Sequence, residues 1–256
     1  RARPRAPPRG AIRPPAFIPP TEGGPAGHAA ALAADAGVAL PAAYAGFLER
    51  MGVRSEPFTP FGATQDHGFP AILQRLDDEA DTFSGRYMPV AIETDRSLEA
   101  LYDHHIDLAL SDGTDAPLVL LEQVSPVDEQ PPIDLGETLG ERITAGAFTQ
   151  FELERLAERG LVHLGGTLHP GEGRAALAQA LSLLQLAGFE PVLPPLSRVV
   201  CLRAGDVSLL AQVDESVELL SLRFGSDHAL AVRSLTDQLL AGLPGARLPA
   251  GPRTLG

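Results

Sequence analysis

Residues 86–123 read RYMPVAIETDRSLEALYDHHIDLALSDGTDAPLVLLEQ. Two apolar runs, Met88–Ile92 and Pro117–Leu121, flank a half-alternating segment, Ile106–Leu110. The cluster Ser111-Asp112-Gly113-Thr114-Asp115 lies between the last two runs, and such residues favour the positive φ and side-chain-to-backbone bonds of a turn. The pattern predicts a β-hairpin beside a third strand. The setting is very acidic and no catalytic motif accompanies it, so the segment reads as a binding scaffold.

Outward from this hairpin, toward the N-terminus, Ala71–Ala80 predicts a short helix with Ile72, Leu73 and Leu76 on one face. Ser55–Thr64 is expected to be extended, broken by Pro57 and Pro60. Leu40-Pro41 opens a helix over Ala42–Met51, where Tyr44, Phe47, Leu48 and Met51 recur at helical spacing and Gly52 is the stop. Ala29–Ala36 predicts another short helix ended at Gly37. Residues 1–26 are rich in Pro, Arg and Gly with almost no core-formers, and predict a disordered tail with local polyproline II. Eight prolines and Asp35 spoil the faint likeness of this region to a secretory signal, so a cytoplasmic protein is expected.

Toward the C-terminus, Ser125–Gly136 (SPVDEQPPIDLG) reads as a linker. Beyond it, Glu137–Arg159 predicts mostly helix with Gly160 as its stop, and Leu161–Leu168 a strand. Arg174–Ala187 predicts a further helix. The runs Arg198–Arg203, Val207–Val213 and Val217–Phe224 predict a meander, and Ala229–Ala241 a closing amphipathic helix. The expected fold is α+β: a hairpin and a third strand with flanking helices over residues 27–124, a linker at 125–136, a second small α+β unit over 137–245 and a flexible tail at 246–256.

Composition excludes several chemistries. The chain has no Lys, Asn or Trp, so neither a P-loop lysine nor a Schiff-base lysine exists. Cys201 is the only cysteine, which excludes an internal disulfide and a thiolate metal cluster; its neighbours Val199, Val200 and Leu202 predict a buried strand thiol. The net charge of −13 lies almost wholly in the middle third: residues 49–137 hold nineteen acidic side chains against five Arg. Such a surface repels nucleic acid and membranes and attracts basic partners, or simply keeps the protein soluble.

Few residues are candidates for chemistry. Asp103-His104-His105-Ile106-Asp107 places two carboxylates and two imidazoles in five residues. Neighbours on a strand point to opposite faces, so His104 and His105 would need ligands from elsewhere, such as Asp66 or His67, to hold a metal; the alternative is an exposed polar strand start. Gly165–Gly173 precedes a helix as phosphate-cradling loops do, but Pro170 removes a donor and the spacing matches no dinucleotide fingerprint. Gly225-Ser226-Asp227-His228 holds all three residue types of a hydrolytic triad, while Ser226 or Asp227 also suits a helix N-cap.

The order Leu40-Pro41-x-x-Tyr44-x-x-Phe47-Leu48, then Tyr87-Met88-Pro89-Val90-Ala91, then Ile106-Asp107-Leu108 and Pro117-Leu118-Val119 resembles the SUKH superfamily over residues 28–123. The tryptophan common early in that family is absent, and the second unit has no counterpart in the resemblance. The resemblance implies an α+β fold with a twisted antiparallel sheet and a protein-binding role, often as the immunity partner of a secreted bacterial toxin. The missing Lys, the single apolar Cys and the lack of a convergent acid–base set add the expectation of a non-catalytic protein without cofactor or metal. Nuclease toxins are basic where they hold phosphate, and an acidic domain could cap that cleft. The expected partner face comprises Asp77, Asp78, Glu79, Phe83, Tyr102, Asp103, Asp107, Asp112 and Asp115. Two other readings stand beside it: a small-ligand or metal-binding enzyme using His104, His105 and Asp107, and a regulatory scaffold unrelated to toxins.

Overall fold

The computed structural model describes residues 27–52, 58–78, 85–123, 131–166 and 169–249. The expected tail at 1–26, and Glu79 and Phe83 of the expected partner face, lie outside these residues. The chain is α+β and divides into two compact units, Arg1–Ile143 and Thr144–Gly256.

The first unit begins with α1 (His28–Ala36) and α2 (Ala42–Met51). Gly37 ends α1 in the left-handed region at φ 66°, its N–H returning to Ala33 and Ala34. β1 (Gln65–Asp66) and α3 (Phe69–Asp78) follow, then β2 (Tyr87–Glu93), β3 (Tyr102–Asp107), β4 (Pro117–Glu122) and β5 (Ile133–Thr138). The five strands form an antiparallel sheet in sequence order. Pro89 has no N–H to give the ladder, and the β2–β3 register shifts beside it, between Pro89 and Ala91. The phenol of Tyr44, fully buried on α2, donates to the Pro89 carbonyl at 2.7 Å.

Two expectations change here. The first strand of the predicted hairpin runs over Tyr102–Asp107, not Ile106–Leu110. Leu108–Leu110 is a 3-10 turn because the Asp107 carboxylate accepts the Ala109 N–H at 3.0 Å and starts it. The expected linker at 125–136 ends in ordered sheet: Ile133 and Asp134 pair with Leu120 and Val119, so this part of the chain belongs to the first unit. The contact boundary falls instead inside α4 (Leu139–Phe151).

The second unit continues with β6 (Glu158–Gly165), α5 (Glu172–Leu186), β7 (Glu190–Pro191), β8 (Val199–Ala204), β9 (Val207–Asp214), β10 (Leu219–Ser226) and α6 (Ala229–Gly242). The predicted helix over Glu137–Arg159 is shorter at both ends. Thr138 is the last residue of β5, and Glu158–Gly160 already pairs with β10. Gly160 is therefore a strand residue: it stands opposite Phe224, whose ring covers it so closely that a Cβ there would overlap the ring. The strand order is β6-β10-β9-β8-β7, all antiparallel. Leu177, Ala180 and Leu184 of α5 and Val232, Leu235 and Leu239 of α6 pack with Val162, Leu209, Ala211, Leu222 and Phe224 in one apolar core. Cys201 is buried on β8, and burial pushes its thiol up to about 12.

Candidate functional site

The Asp103–Asp107 segment is the central strand of the first sheet, and all five residues are buried. The expectation of an exposed strand start is corrected: the charged groups are interior, and each has a partner as burial requires. Asp103 is 0% exposed. Its Oδ1 accepts the Glu93 N–H at 2.8 Å and the Gln123 amide at 2.6 Å, and Arg75 Nε stands 3.1 Å from its Oδ2. Burial raises the Asp103 carboxyl above its ordinary range, against these bonds and the Arg75 charge.

His104 and His105 turn to different partners, as adjacent strand residues must. His104 Nδ1 meets Gln65 Oε1 at 3.2 Å, and its ring lies 5.2 Å from that of Phe61. Gln65 gives its amide N–H to Glu93 Oε2 at 2.6 Å, so its oxygen is left to accept and His104 Nδ1 carries the proton. His105 Nδ1 meets the Asp103 carbonyl at 3.2 Å and is likewise the protonated nitrogen. Burial, helped by the Arg142 charge, pushes His104 down to about 4; burial pushes His105 down to about 3. Both rings are neutral at physiological pH. His67 packs against Phe47 and Phe61 with ring centroids 5.6 and 5.8 Å away, and burial lowers it too. Asp66 is exposed and accepts the Gly68 N–H at 2.8 Å. Among the described residues no group of three or more His, Cys, Asp or Glu is placed to hold a metal ion.

Asp107 is 2% exposed and is gripped by Arg86, with contacts of 3.1, 3.2 and 2.8 Å from Nε and Nη2. It lies four residues along β3 from Asp103, about 13 Å at the rise of an extended strand. The structure thus does not gather the expected acidic face. Asp103 sits at the β3 end near Gln123; Asp107 and the hairpin turn lie at the other end. Within the turn, the exposed Asp112 accepts the N–H groups of Thr114 and Asp115 at 2.7 and 2.9 Å, bonds that hold its carboxyl below the usual range. Half-buried Asp115 caps α4 through Gly140 N–H at 3.1 Å and accepts Ala116 N–H at 2.8 Å; burial raises its carboxyl. The turn in turn supports α2, whose first N–H groups reach the carbonyls of Gly113 and Thr114. Tyr102 is half-buried. Asp77 and Asp78 are exposed at the end of α3.

The glycine loop before α5 does present anion-binding N–H groups, and the chain itself fills them. Glu218 accepts the N–H groups of Gly171 and Gly173 at 2.9 Å each, and its carbonyl accepts Gly166 N–H at 2.8 Å. Glu218 holds a left-handed backbone at φ 49° to do so. At the other candidate, Ser226 is fully buried and donates to Asp206 at 2.7 Å, while its oxygen accepts the backbone N–H of His228. His228 Nε2 is 3.8 Å from Asp206, so the serine faces an acid and not a base, the reverse of a hydrolytic relay. Asp227 accepts Ala157 N–H at 3.3 Å, and neither residue caps α6 with its side chain.

Sequence reasoning missed Gln65, Arg75, Glu93 and Gln123, which lock the buried strand, and Glu218, which closes the loop. One signal was available: a strand with polar residues on both faces must draw partners from flanking elements. No protein-family model, curated protein or solved structure matches the chain at a significant level. The likeness to the SUKH superfamily therefore stands on its sequence motifs.

Proposed function

We propose that the chain is a non-catalytic binding protein whose first unit meets a basic protein partner, in the manner of an immunity protein that neutralises a toxin. The carrying observation is a division of labour among its acids. Glu93, Asp103, Asp107 and Asp115 are drawn into the fold as hydrogen-bond acceptors, caps and ion pairs. Asp77 and Asp78 are different. They stand exposed at the C-terminal end of α3, with no arginine partner among the described residues. A helix dipole disfavours negative charge at that end; Asp78 accepts an N–H of the Gln74 amide one turn back at 2.9 Å, a small exposed bond that leaves the charge itself unexplained. Attraction to a cationic surface explains it, chiefly through association rate. Burial of His105 in the sheet and the grip of Arg86 on Asp107 favour the binding reading over the enzyme reading.

The test is Asp77→Arg/Asp78→Arg, a reversal that the helix end tolerates, measured against the basic toxin domain that the wild-type chain captures from its native host. The association rate at low salt should fall by about tenfold and the salt dependence should shrink. Full protection of cells and an unchanged rate in the variant would refute the acidic docking site. A wild-type chain that captures no toxin, or does not inhibit the one it captures, would refute the immunity role.

A further inference from the structure

We propose that the open edge of β6, with the face it shares with β10, docks an extended acidic segment of a partner protein. This surface belongs to the second unit and is independent of the acidic one above.

β6 is an edge strand whose single sheet neighbour is β10. His163 turns both backbone groups outward: its N–H and C=O bond to the C=O and N–H of Arg247 at 2.9 Å each. Alternation along an antiparallel strand gives Leu161 and Arg159 the same outward orientation. Among the described residues the C-terminal segment covers one rung: Arg247, inside the tail expected to be flexible from residue 246, is paired with the sheet instead. In its antiparallel register with His163, the residue that would face Leu161 is Pro249, which has no N–H to donate. Among the described residues no strand meets the edge at Arg159 and Leu161. The edge accepts strand pairing, as Arg247 demonstrates, and no described residue fills the next two outward positions.

The side chains specify the partner's charge. Val162, Leu164, Leu222 and Phe224 face the apolar core, so Arg159, Leu161 and His163 face the other way. Register places Arg223 opposite Leu161, and Arg247 opposite His163, on that same outer face. Arg159, Arg223 and Arg247 are all exposed, and none has a carboxylate partner among the described residues. Elsewhere in this unit Arg174, Arg198 and Arg203 each hold one, on Glu215 or Glu152. Burial lowers the His163 imidazole, and the charges of Arg247 and Arg223 lower it further, a sign that the three groups share one field. A chain of net charge −13 thus carries a local strip of cations along a sheet edge that, among the described residues, has neither carboxylates nor a strand against it. An added strand with carboxylates at alternate positions satisfies both: its main chain completes the ladder, and residues two apart reach the arginines on one face.

The test uses the full chain and a fluorescein-labelled octapeptide of alternating Glu and Val, followed by fluorescence anisotropy at low salt. Saturable binding is expected. Arg159→Glu/Arg223→Glu should weaken it by about tenfold or more, as should N-methylation of alternate peptide amides, which blocks strand pairing but keeps the charge. Hydrogen exchange at the Leu161 amide should slow when the peptide binds. Both arginines are exposed, so the variant should keep its far-UV spectrum; if it does not, Arg159→Gln/Arg223→Gln serves, with a smaller loss of about threefold. The proposal fails if the wild-type chain does not bind the peptide, if affinity survives the variants, or if the methylated peptide binds equally. It fails also if an eight-residue oligothymidylate binds more tightly than the peptide, since the strip would then be a nucleic-acid surface.

Discussion

The two sheets have the same size and different middles. Each has five antiparallel strands, with β3, the third of its sheet in sequence, at the centre of the first and β9, the fourth of its sheet in sequence, at the centre of the second. The middle strand of the first unit, β3, buries Asp103, His104, His105 and Asp107 around a single aliphatic residue, Ile106. The middle strand of the second, β9, buries Leu209, Leu210 and Ala211 with Ser208 as the one buried polar residue. The second sheet is held by non-directional apolar burial; the first adds to the buried apolar residues of β2 and β4 a network in which every member depends on its partners. The acidic middle third of the chain is thus not only surface. Glu93, Asp103 and Asp107 are internal, and the field offered to a partner is weaker than the residue count implies.

The largest effects should come from cutting each interior at its centre. Asp103→Ala leaves the Arg75 charge, the Gln123 amide and the Glu93 N–H facing an apolar gap, and should cost the first unit about 3–5 kcal/mol. Phe224→Ala opens a cavity over Gly160 in the second and should cost about 3–5 kcal/mol. Hydrogen exchange should show β2–β4 losing protection in the first variant and β8–β10 in the second. Cys201, whose thiol is buried and pushed up to about 12, should react with a thiol reagent rapidly only in the second. If Asp103→Ala exposed Cys201 as readily as Phe224→Ala, the two-unit description would be wrong.

Acid should separate the units next. In the unfolded chain His104 and His105 take protons near 6.5; folded, burial delays this to about 4 and about 3. Below 6.5 the unfolded state binds more protons, so stability is complete above that pH and drains as pH falls toward 4 and 3. The loss is at most about 1.4 kcal/mol per pH unit for each ring. Asp103 and Asp115, whose carboxyls burial raises, oppose the trend as pH falls through their raised range. The one sheet histidine of the second unit, His163, is half-exposed and should contribute little. Denaturant midpoints for each unit at pH 7 and 4.5 check this. A second unit that loses more stability than the first would break the comparison.

The apolar unit was the more legible one. Alternation and aliphatic runs locate β8, β9, β10, α5 and α6 to within two residues, because burial against a core is written in side-chain periodicity. The same reading shifted β3 and mistook part of β5 for linker. Polar residues normally mark surface, and β3 is polar on both faces; β5 is an edge strand of Ile, Asp, Gly and Glu with little apolar pattern. Gly160 read as a helix stop because the ring that demands a glycine, Phe224, is 64 residues away in sequence. The candidate residues were visible as residue types, but their commitments were not. That Asp107 belongs to Arg86, or Glu218 to Gly171 and Gly173, follows from tertiary neighbours alone.

The smallest effects, and the finest comparison, concern the helix that each unit starts on a borrowed carboxylate. Asp115 reaches Gly140 at the start of α4, and Glu218 reaches Gly171 and Gly173 at the start of α5. Removing either acceptor leaves helix-terminal N–H groups without it and should cost about 1–2 kcal/mol in Asp115→Ala and about 1 kcal/mol in Glu218→Ala. The two sites differ in backbone: Glu218 sits at φ 49°, where a side chain is strained by about 1 kcal/mol and glycine is not. Glu218→Gly therefore loses the cap but sheds the strain, and should be less destabilising than Glu218→Ala. At Asp115 no such relief exists, so Asp115→Gly should be no better than Asp115→Ala. Thermal midpoints of the four variants decide the matter. A Glu218→Gly protein as unstable as Glu218→Ala, or more so, would mean that the left-handed residue is not strained and that the Glu218 carboxylate alone holds the loop in place.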